Sequence, residues 1–371
     1  MSRLFEPLDL GALRLPNRIV VAPMCQYSAH EGSATDWHMI HLGHLALSGA
    51  GLLLTEATAV SAVGRISPTD LGLYSDDNER ALARVLAAIR VHSPIAVAIQ
   101  LAHAGRKGSS RAPWDGGQQV SPDDPQGWLA EAPSAIPHAP GEHAPAALDK
   151  AGLARVRGEF VRAAERAARA GFDGIELHFA HGYLLHEFLS PLANQRSDDY
   201  GGSLENRMRF PLEVFDAVRA AFPADKPVWV RVSATDWVPG GWDVSDTVTL
   251  GLALKTRGCA AMHVSGGGVS PLQKIPLAPG YQVPLAARVK SETGLTTIAV
   301  GLITEPEQAE QIVASGQADA VALARAMLYD SRWPWHAAAR LGAQVDAPKQ
   351  YWRSQPREHK DLFRGSAFGQ R

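Results

Sequence analysis

The sequence predicts one α/β domain, a single (β/α)8 TIM barrel with a long loop after its third strand and a C-terminal tail. Three observations predict it. Eight short apolar, β-rich runs alternate with eight helical patterns, the arrangement of parallel strands joined by crossover helices. A length of 371 residues suits one large barrel. The fourth run, GIELHFAH, places polar residues on alternate positions just ahead of a turn-rich segment. A doubly wound open sheet is the competing architecture, and two ordinary domains would also suit the length.

In chain order, residues 1–17 close the bottom of the barrel. Strand 1 is 18–24 (RIVVAPM), followed by a helix over 36–49; strand 2 is 52–60 (LLLTEATAV), followed by a helix over 77–92. Strand 3, 95–102 (IAVAIQLA), leads into 104–148, which is rich in Gly, Pro, Ser and Asp. A loop of that length in a compact domain is usually functional. The Ala-rich helix 151–170 carries Arg155 to Arg169 as a solvated face and precedes strand 4, 174–181. Residues 194–207 (NQRSDDYGGSLENR) are a structural turn in which Ser203 N-caps the helix over 204–221. Strand 5 is 228–235 and its helix 245–257; strand 6 is 260–265, then Gly266, Gly267 and Gly268, which either flank a ligand or form a flexible loop. A helix over 282–293 and strand 7 (296–303) follow. Thr304-Glu-Pro-Glu307 reads as a capping box with an early proline, opening a helix over 305–315. Strand 8 (319–324) and a helix over 332–341 complete the barrel, and 342–371 form a polar tail carrying Tyr351, Trp352 and Phe363.

Composition narrows the function. Apolar residues make up 46%, charged residues 20%, and the net charge is −2. This is ordinary globular composition, with no electrostatic reason to expect nucleic acid or an anionic membrane as partner. The two cysteines, Cys25 and Cys259, form no CxxC pair, so zinc ribbons and iron–sulfur clusters are not expected. They are read as unpaired thiols. The segment MSRLFEPLDLG lacks the basic and apolar regions of a secretory leader, and no apolar run reaches membrane-spanning length. A cytoplasmic protein is the expectation.

Strand parity locates the polar groups. Ile175, Leu177 and Phe179 share one face of strand 4, and Glu176 and His178 the other. Val228, Val230 and Val232 oppose Trp229, Arg231 and Ser233 on strand 5; Val97, Ile99 and Leu101 oppose Ala98 and Gln100 on strand 3. With the apolar faces against the helices, Gln100, His178 and Arg231 converge inside the mouth. Buried polar groups need partners, so the convergence points to a polar ligand, or to an internal network such as Glu176 with Arg231. His178 and His181 are three apart, which an ideal strand would send to opposite faces. His181 must therefore lie beyond the strand end, turned back by the loop. His186 is given a helix-surface or packing role.

At this point the residues resemble a known family. NRIVVAPMCQYS (17–28), DWHMIHLG (36–43), QLAHAGRK (100–107), ELHFAHGYLLHEFLSPLANQRSDDYGGSLENRMRF (176–210) and VALARAML (321–328) together resemble the old yellow enzyme family of FMN-dependent ene-reductases. The likeness is greatest to its branch with a cysteine near the end of strand 1, similar to bacterial xenobiotic reductases. It covers nearly the whole chain.

The resemblance implies site residues. Pro23 and Met24 would lie against the flavin through their backbone, Cys25 would touch its reactive edge, and Ala57 would let the ring approach strand 2. Gln100 would bond the pyrimidine edge, and Arg231 would sit by N1 and the C2 oxygen, stabilising anionic reduced flavin. Gly301 and the Ala324-Arg325 pair would take the phosphate; the family often has Gly where Ala324 stands. His178 and His181 would bind the carbonyl oxygen of an α,β-unsaturated substrate. Tyr183 would protonate its α-carbon, and Tyr27 would add a substrate contact. Hydride would pass from NADPH, or NADH, to flavin N5 and then to the alkene. There is no strand–GxGxxG–helix unit for a nicotinamide, so both would use one pocket in a ping-pong cycle. The branch also implies a homo-oligomer, dimer or tetramer, in which Arg353 or Trp352 of the tail reaches a neighbouring active site.

Rival readings are a metal-dependent barrel hydrolase using His178 and His181 with His103 or His263, a Schiff-base aldolase, for which no strand carries a suitably placed lysine, and a non-catalytic FMN-binding protein.

Overall fold

The computed structural model describes residues 2–366; the last five residues of the expected tail lie outside them. Strands β1 (Ile19–Val21), β2 (Leu52–Ala59), β3 (Ala96–Ala102), β4 (Gly174–Phe179), β5 (Val228–Ser233), β6 (Met262–Ser265), β7 (Thr297–Val300) and β8 (Ala320–Leu323) pair in chain order, all parallel. The β8–β1 pairing closes the barrel. Helices α1 (Asp36–Ala46), α2 (Asp76–His92), α3 (Lys150–Ala170), α4 (Leu204–Ala221), α5 (Val244–Lys255), α6 (Val283–Thr293), α7 (Pro306–Ala314) and α8 (Trp333–Leu341) surround it. The open-sheet alternative is thereby set aside.

Six of the eight expected strands overran the observed ones at their C-terminal ends, strands 3 and 6 ending as expected, and after β4 and β7 the reason is local backbone. After β7, Gly301 and Leu302 take φ of +117° and +50°, which no pleated strand accommodates. After β4, His181 and Gly182 take +60° and +73°. The chain thus leaves the sheet where the candidate site residues begin.

At the opposite end an antiparallel hairpin, Leu8–Leu10 with Leu13–Leu15, lies under the barrel. Its turn fits closely: a Cβ on Gly11 would come within 3.2 Å of Pro227 and 3.4 Å of Ala260, just before β5 and β6. The tail returns to the same end. Val345 bridges to Phe363, and the Phe363 ring packs on Trp335 at 4.8 Å. Trp352 lines a cavity of about 660 Å³ there with Pro16, Ala46 and Pro94.

Some local expectations are corrected. α7 starts without a capping box: Glu305 is its N-cap and makes no side-chain cap bond. The Thr304 N–H donates instead to Gln308 Oε1 (3.2 Å), while its carbonyl accepts from Trp333 Nε1 (2.6 Å). Ser203 does cap α4, accepting from the Asn206 N–H. The loop after β3 is partly ordered by 3₁₀ turns at Gly105–Lys107 and Pro113–Asp115 and by a pairing of Glu131–Ala132 with Ala146–Ala147. Short helices at Leu184–Leu189 and Arg325–Tyr329 were not expected from the sequence. Both cysteines are free.

Candidate active site

Both faces of β4 are buried, so partners rather than exposure tell its polar face from its apolar one. Glu176 lies at the barrel centre and accepts from Gln100 Nε2 (2.7 Å) and Trp229 Nε1 (2.7 Å), with His263 Nδ1 at 2.9 Å. Burial alone would raise its pKa, but His263, Arg231 and the Trp229 bond outweigh burial and hold it low. The internal network is therefore real, but Arg231 joins it through charge alone. Arg231 Nε is buried without a hydrogen-bond partner in the protein. A guanidinium always carries its charge, and a buried polar atom left unpaired asks for a ligand.

One register step higher, β4 pairs His178 beside Arg231. His181 follows beyond the strand end, and its left-handed backbone swings the imidazole back. His181 Nδ1 lies 3.4 Å from His178 Nε2, with the rings edge-to-face at 5.1 Å. Burial, and then the Arg231 charge, push both imidazoles well below their usual pKa, so both are neutral near pH 7. The Tyr183 ring stands 4.8 Å from that of His178. Burial raises the Tyr183 phenol well above its usual pKa, so it keeps its proton. Strand parity and spacing had singled out His178 and His181, and the family resemblance had added Tyr183; the fold brings the three together.

The turn that carries them is locked from below. His186 Nδ1 accepts the Gly182 N–H (2.8 Å), and its Nε2 faces Asp236 Oδ1 at 3.0 Å. Asp236 also accepts from Ser190 Oγ (2.6 Å) and the Trp242 N–H (2.7 Å). His186 is thus wholly buried, which corrects the helix-surface half of its expected role and leaves the packing half. The triple glycine after β6 has a steric reason. A Cβ on Gly268 would meet the His181 backbone at 2.5 Å, and one on Gly182 would meet Gly268 O at 2.2 Å.

Two residues here escaped the sequence reading. Lys107 Nζ donates to His181 O (2.9 Å) and Gly268 O (3.2 Å) and lies 5.2 Å from the Tyr183 ring centroid. Burial lowers its pKa to about 8. It sits beyond β3, so a search for strand lysines passed over it; both carbonyls engage the ammonium it would need to free for a Schiff base. Ser265 Oγ lies 3.0 Å from His181 Nε2. Its parity with His263 on β6 was the available signal.

The end of β1 forms another wall. Tyr27 takes φ +51° and stacks edge-on to Trp114 of the long loop at 5.4 Å. Cys25, half-buried, is held as a neutral thiol by burial and by the Asp70 and Glu56 carboxylates. The Gln26 N–H donates to Glu56 Oε2 (2.9 Å), fixing the segment of Pro23, Met24 and Cys25 against β2. Ala57 follows the β2 register shift and pairs with Gln100. Tyr27, Lys107, His138 and Tyr183 line a cavity of about 400 Å³. A second, of about 290 Å³, is lined by Arg231, Ser265, Gly301, Ala324 and Arg325. Two arginines and no carboxylate border the second, and Arg325 is exposed. An unpaired buried guanidinium beside a cationic cleft fits an anionic, polar-edged cofactor such as FMN.

The other histidines are turned away. His103 Nδ1 accepts the Gly105 N–H (3.1 Å), with Nε2 3.6 Å from Glu131, while His263 is held by Glu176. Among the described residues no three His, Cys, Asp or Glu side chains form a metal-binding group. The exposed Arg353 does not join the site within its own chain; it lies in the turn Lys349–Ser354, whose Lys349 and Trp352 line the cavity at the far end of the barrel.

The model of the NADH:flavin oxidoreductase / NADH oxidase family matches residues 3–344. The chain belongs to the old yellow enzyme family. An NADPH dehydrogenase of Geobacillus thermodenitrificans is 44% identical over 352 residues, covering 94% of this chain and 98% of that protein. An NADH:flavin oxidoreductase of Gibberella zeae is 43% identical over 332 residues, 85% and 80% of the two chains. Among solved structures, morphinone reductase superposes with a TM-score of 0.77 at 29% identity, covering 97% of this chain and 96% of its own. This old yellow enzyme is an FMN-dependent NAD(P)H oxidoreductase. Among its described residues no helix is long and apolar enough to cross a membrane.

Proposed function

We propose that this enzyme reduces the activated C=C bond of α,β-unsaturated carbonyl compounds in a ping-pong cycle, with nicotinamide and enone taking turns in one pocket. The observation that carries the reading is the pair of neutral imidazole nitrogens, His178 Nε2 and His181 Nδ1, 3.4 Å apart beside Tyr183. Two N–H groups aimed at one point bind an oxygen on which negative charge grows, and stabilising that charge lowers the barrier. Neutral imidazoles donate without protonating the oxygen outright. Tyr183, protonated by virtue of its burial, delivers its proton to the α-carbon.

Pro23, Met24 and Ala57 would hold the cofactor's ring, Gln100 and Arg231 its polar edge, and Gly301, Ala324 and Arg325 its phosphate. Bound there, FMN supplies two-electron hydride chemistry between nicotinamide and alkene. Arg231 answers the negative charge of the reduced ring, and Cys25, an uncharged thiol, adds none. Tyr27 and the long loop shape the substrate side. The enzyme acts as a homo-oligomer, with Arg353 reaching a neighbouring site.

The test is an anaerobic visible spectrum. NADPH should bleach the flavin absorbance, and 2-cyclohexenone should restore it. A flavin that bleaches but ignores the enone would keep the cofactor and end the enone reading.

A further inference from the structure

The two histidines that meet beside Tyr183 face a proton-counting problem, and Ser265 solves it. His178 Nδ1 accepts the Ala180 N–H (3.2 Å), so the proton of neutral His178 is on Nε2, facing His181. At His181, Nδ1 faces His178, and Nε2 lies 3.0 Å from Ser265 Oγ. Ser265 Oγ also lies 3.0 Å from the Val232 carbonyl, which can only accept. A hydroxyl has one proton. With that proton on Val232 O, Ser265 accepts from His181, so His181 carries its proton on Nε2. The resting site is then a closed relay: Ala180 N–H to His178, His178 N–H to His181, His181 N–H to Ser265, Ser265 O–H to Val232 O. Every proton is used internally, and none is offered to a ligand.

A ligand oxygen held by both imidazoles needs the other tautomer, with His181 protonated on Nδ1. Nε2 then becomes an acceptor and needs a donor in a site where Ser265 is 2% exposed. The Ser265 hydroxyl meets both demands by rotating. We propose that Ser265 is the positioning residue that sets the tautomer of His181, turning its O–H from Val232 to His181 Nε2 when a substrate oxygen enters. One proton leaves Nε2 and one arrives at Nδ1 through solvent, with no net change in charge. The alternative, a doubly protonated His181, is opposed by burial and by the Arg231 and Lys107 charges. The resting His178–His181 contact is easy to give up, because 3.4 Å is longer than an ordinary hydrogen bond.

This inference rests on the ene-reductase reading, and the experiment separates the two. FMN-loaded protein labelled with 15N-histidine reports each tautomer directly, with the His181 signals identified by their loss in His181→Asn. The probe is 4-hydroxybenzaldehyde, a planar phenol whose oxygen can take both imidazole protons. The expected result is Nε2–H in the free protein and Nδ1–H in the complex, and Ser265→Ala should bind the phenol roughly 10- to 100-fold more weakly, the effect of leaving a buried polar atom unpaired. An unchanged tautomer on binding, Nδ1–H already present in the free protein, or Ser265→Ala binding within about threefold of wild type would overturn it. Wild-type protein that accepts neither the phenol nor 2-cyclohexenone would take down the ene-reductase reading and this inference with it. Wild-type protein that turns over enone with an unmoved tautomer would take down the inference alone.

Discussion

Removing one oxygen atom, in Tyr183→Phe, should split the catalytic cycle in two. The phenyl ring keeps its edge-to-face contact with His178, so the substitution spares packing and deletes the proposed acid. Tyr183 and Lys107 line the same cavity of about 400 Å³, through which water is the remaining proton source. A positioned general acid is worth roughly 10²- to 10⁴-fold, which is about 2.7–5.5 kcal/mol of barrier. Stopped-flow spectra should therefore show flavin reoxidation by 2-cyclohexenone slowed by that factor, with reduction by NADPH within about twofold of wild type. Because burial keeps the phenol protonated, the wild-type enone step should stay flat from pH 6 to pH 9 as far as this group is concerned. A quinone supplies the control: its oxygens take protons from water, so Tyr183→Phe should still reduce it at near wild-type rate. Equal slowing of enone and quinone, or enone reduction within about threefold of wild type, would refute Tyr183 as the acid.

Three other outcomes follow. Glu187 is wholly buried, and burial lifts its pKa from 4.5 to about 8, opposed in part by Arg106; the folded carboxyl keeps a proton that the unfolded one has released between those values, so stability should fall with rising pH in that window by about 1.4 kcal/mol per unit. Glu187→Gln, compared with wild type in urea melts at pH 5 and pH 8, should remove that slope, and parallel pH profiles would contradict the assignment. Gly182→Ala puts a Cβ 2.2 Å from Gly268 O at φ +73°, so it should lower stability by about 1–3 kcal/mol and reduce enone turnover more than FMN content, read by thermal melts and flavin absorbance. Arg353→Ala should raise KM for 2-cyclohexenone by about fivefold, the loss of one modest polar contact, with kcat unchanged; unchanged kinetics would remove Arg353 from the site.

The barrel was legible because alternation survives at every scale: apolar with polar along β4, strand with helix along the chain. His178 and His181 were legible for a related reason, since a spacing of three at a strand end forces a turn; Tyr183 was legible only through the family resemblance. Other features depended on contacts that sequence spacing does not encode. The expected pairing of Glu176 with Arg231 was incomplete: Arg231 acts on it through charge, while the hydrogen bonds come from Gln100 and Trp229, with His263 beside it, across strands whose register is set only on closure. His186 was left between a helix surface and a packing role because its partner Asp236 is 50 residues away. Thr304 had the letters of a capping box, but the N-cap falls one residue later, at Glu305, and the Thr304 N–H is taken by Gln308 Oε1 instead of Glu307. Lys107 and Ser265 are polar residues at strand ends, and only the folded loops show what they touch.

The lock between the β4 turn and the β6 loop carries a consequence for how this enzyme can change over time. His181 and Gly182 meet Gly268 and Val269 with backbone against backbone, held by the Lys107 ammonium on two carbonyls and by the His186–Asp236 pair. Almost any mutation there disturbs a chain path as well as a side chain. The long loop lines the neighbouring cavity with the side chains of Arg111, Pro113, Gln119 and His138, together with Tyr27. The molecule thus separates an inheritance it can hardly edit from one it can revise freely: the proton-handling groups on one side, the choice of substrate on the other. Variants with new substrate ranges should accumulate along the loop beyond Lys107, around residues 111–119 and His138, while the histidine turn stays as it is.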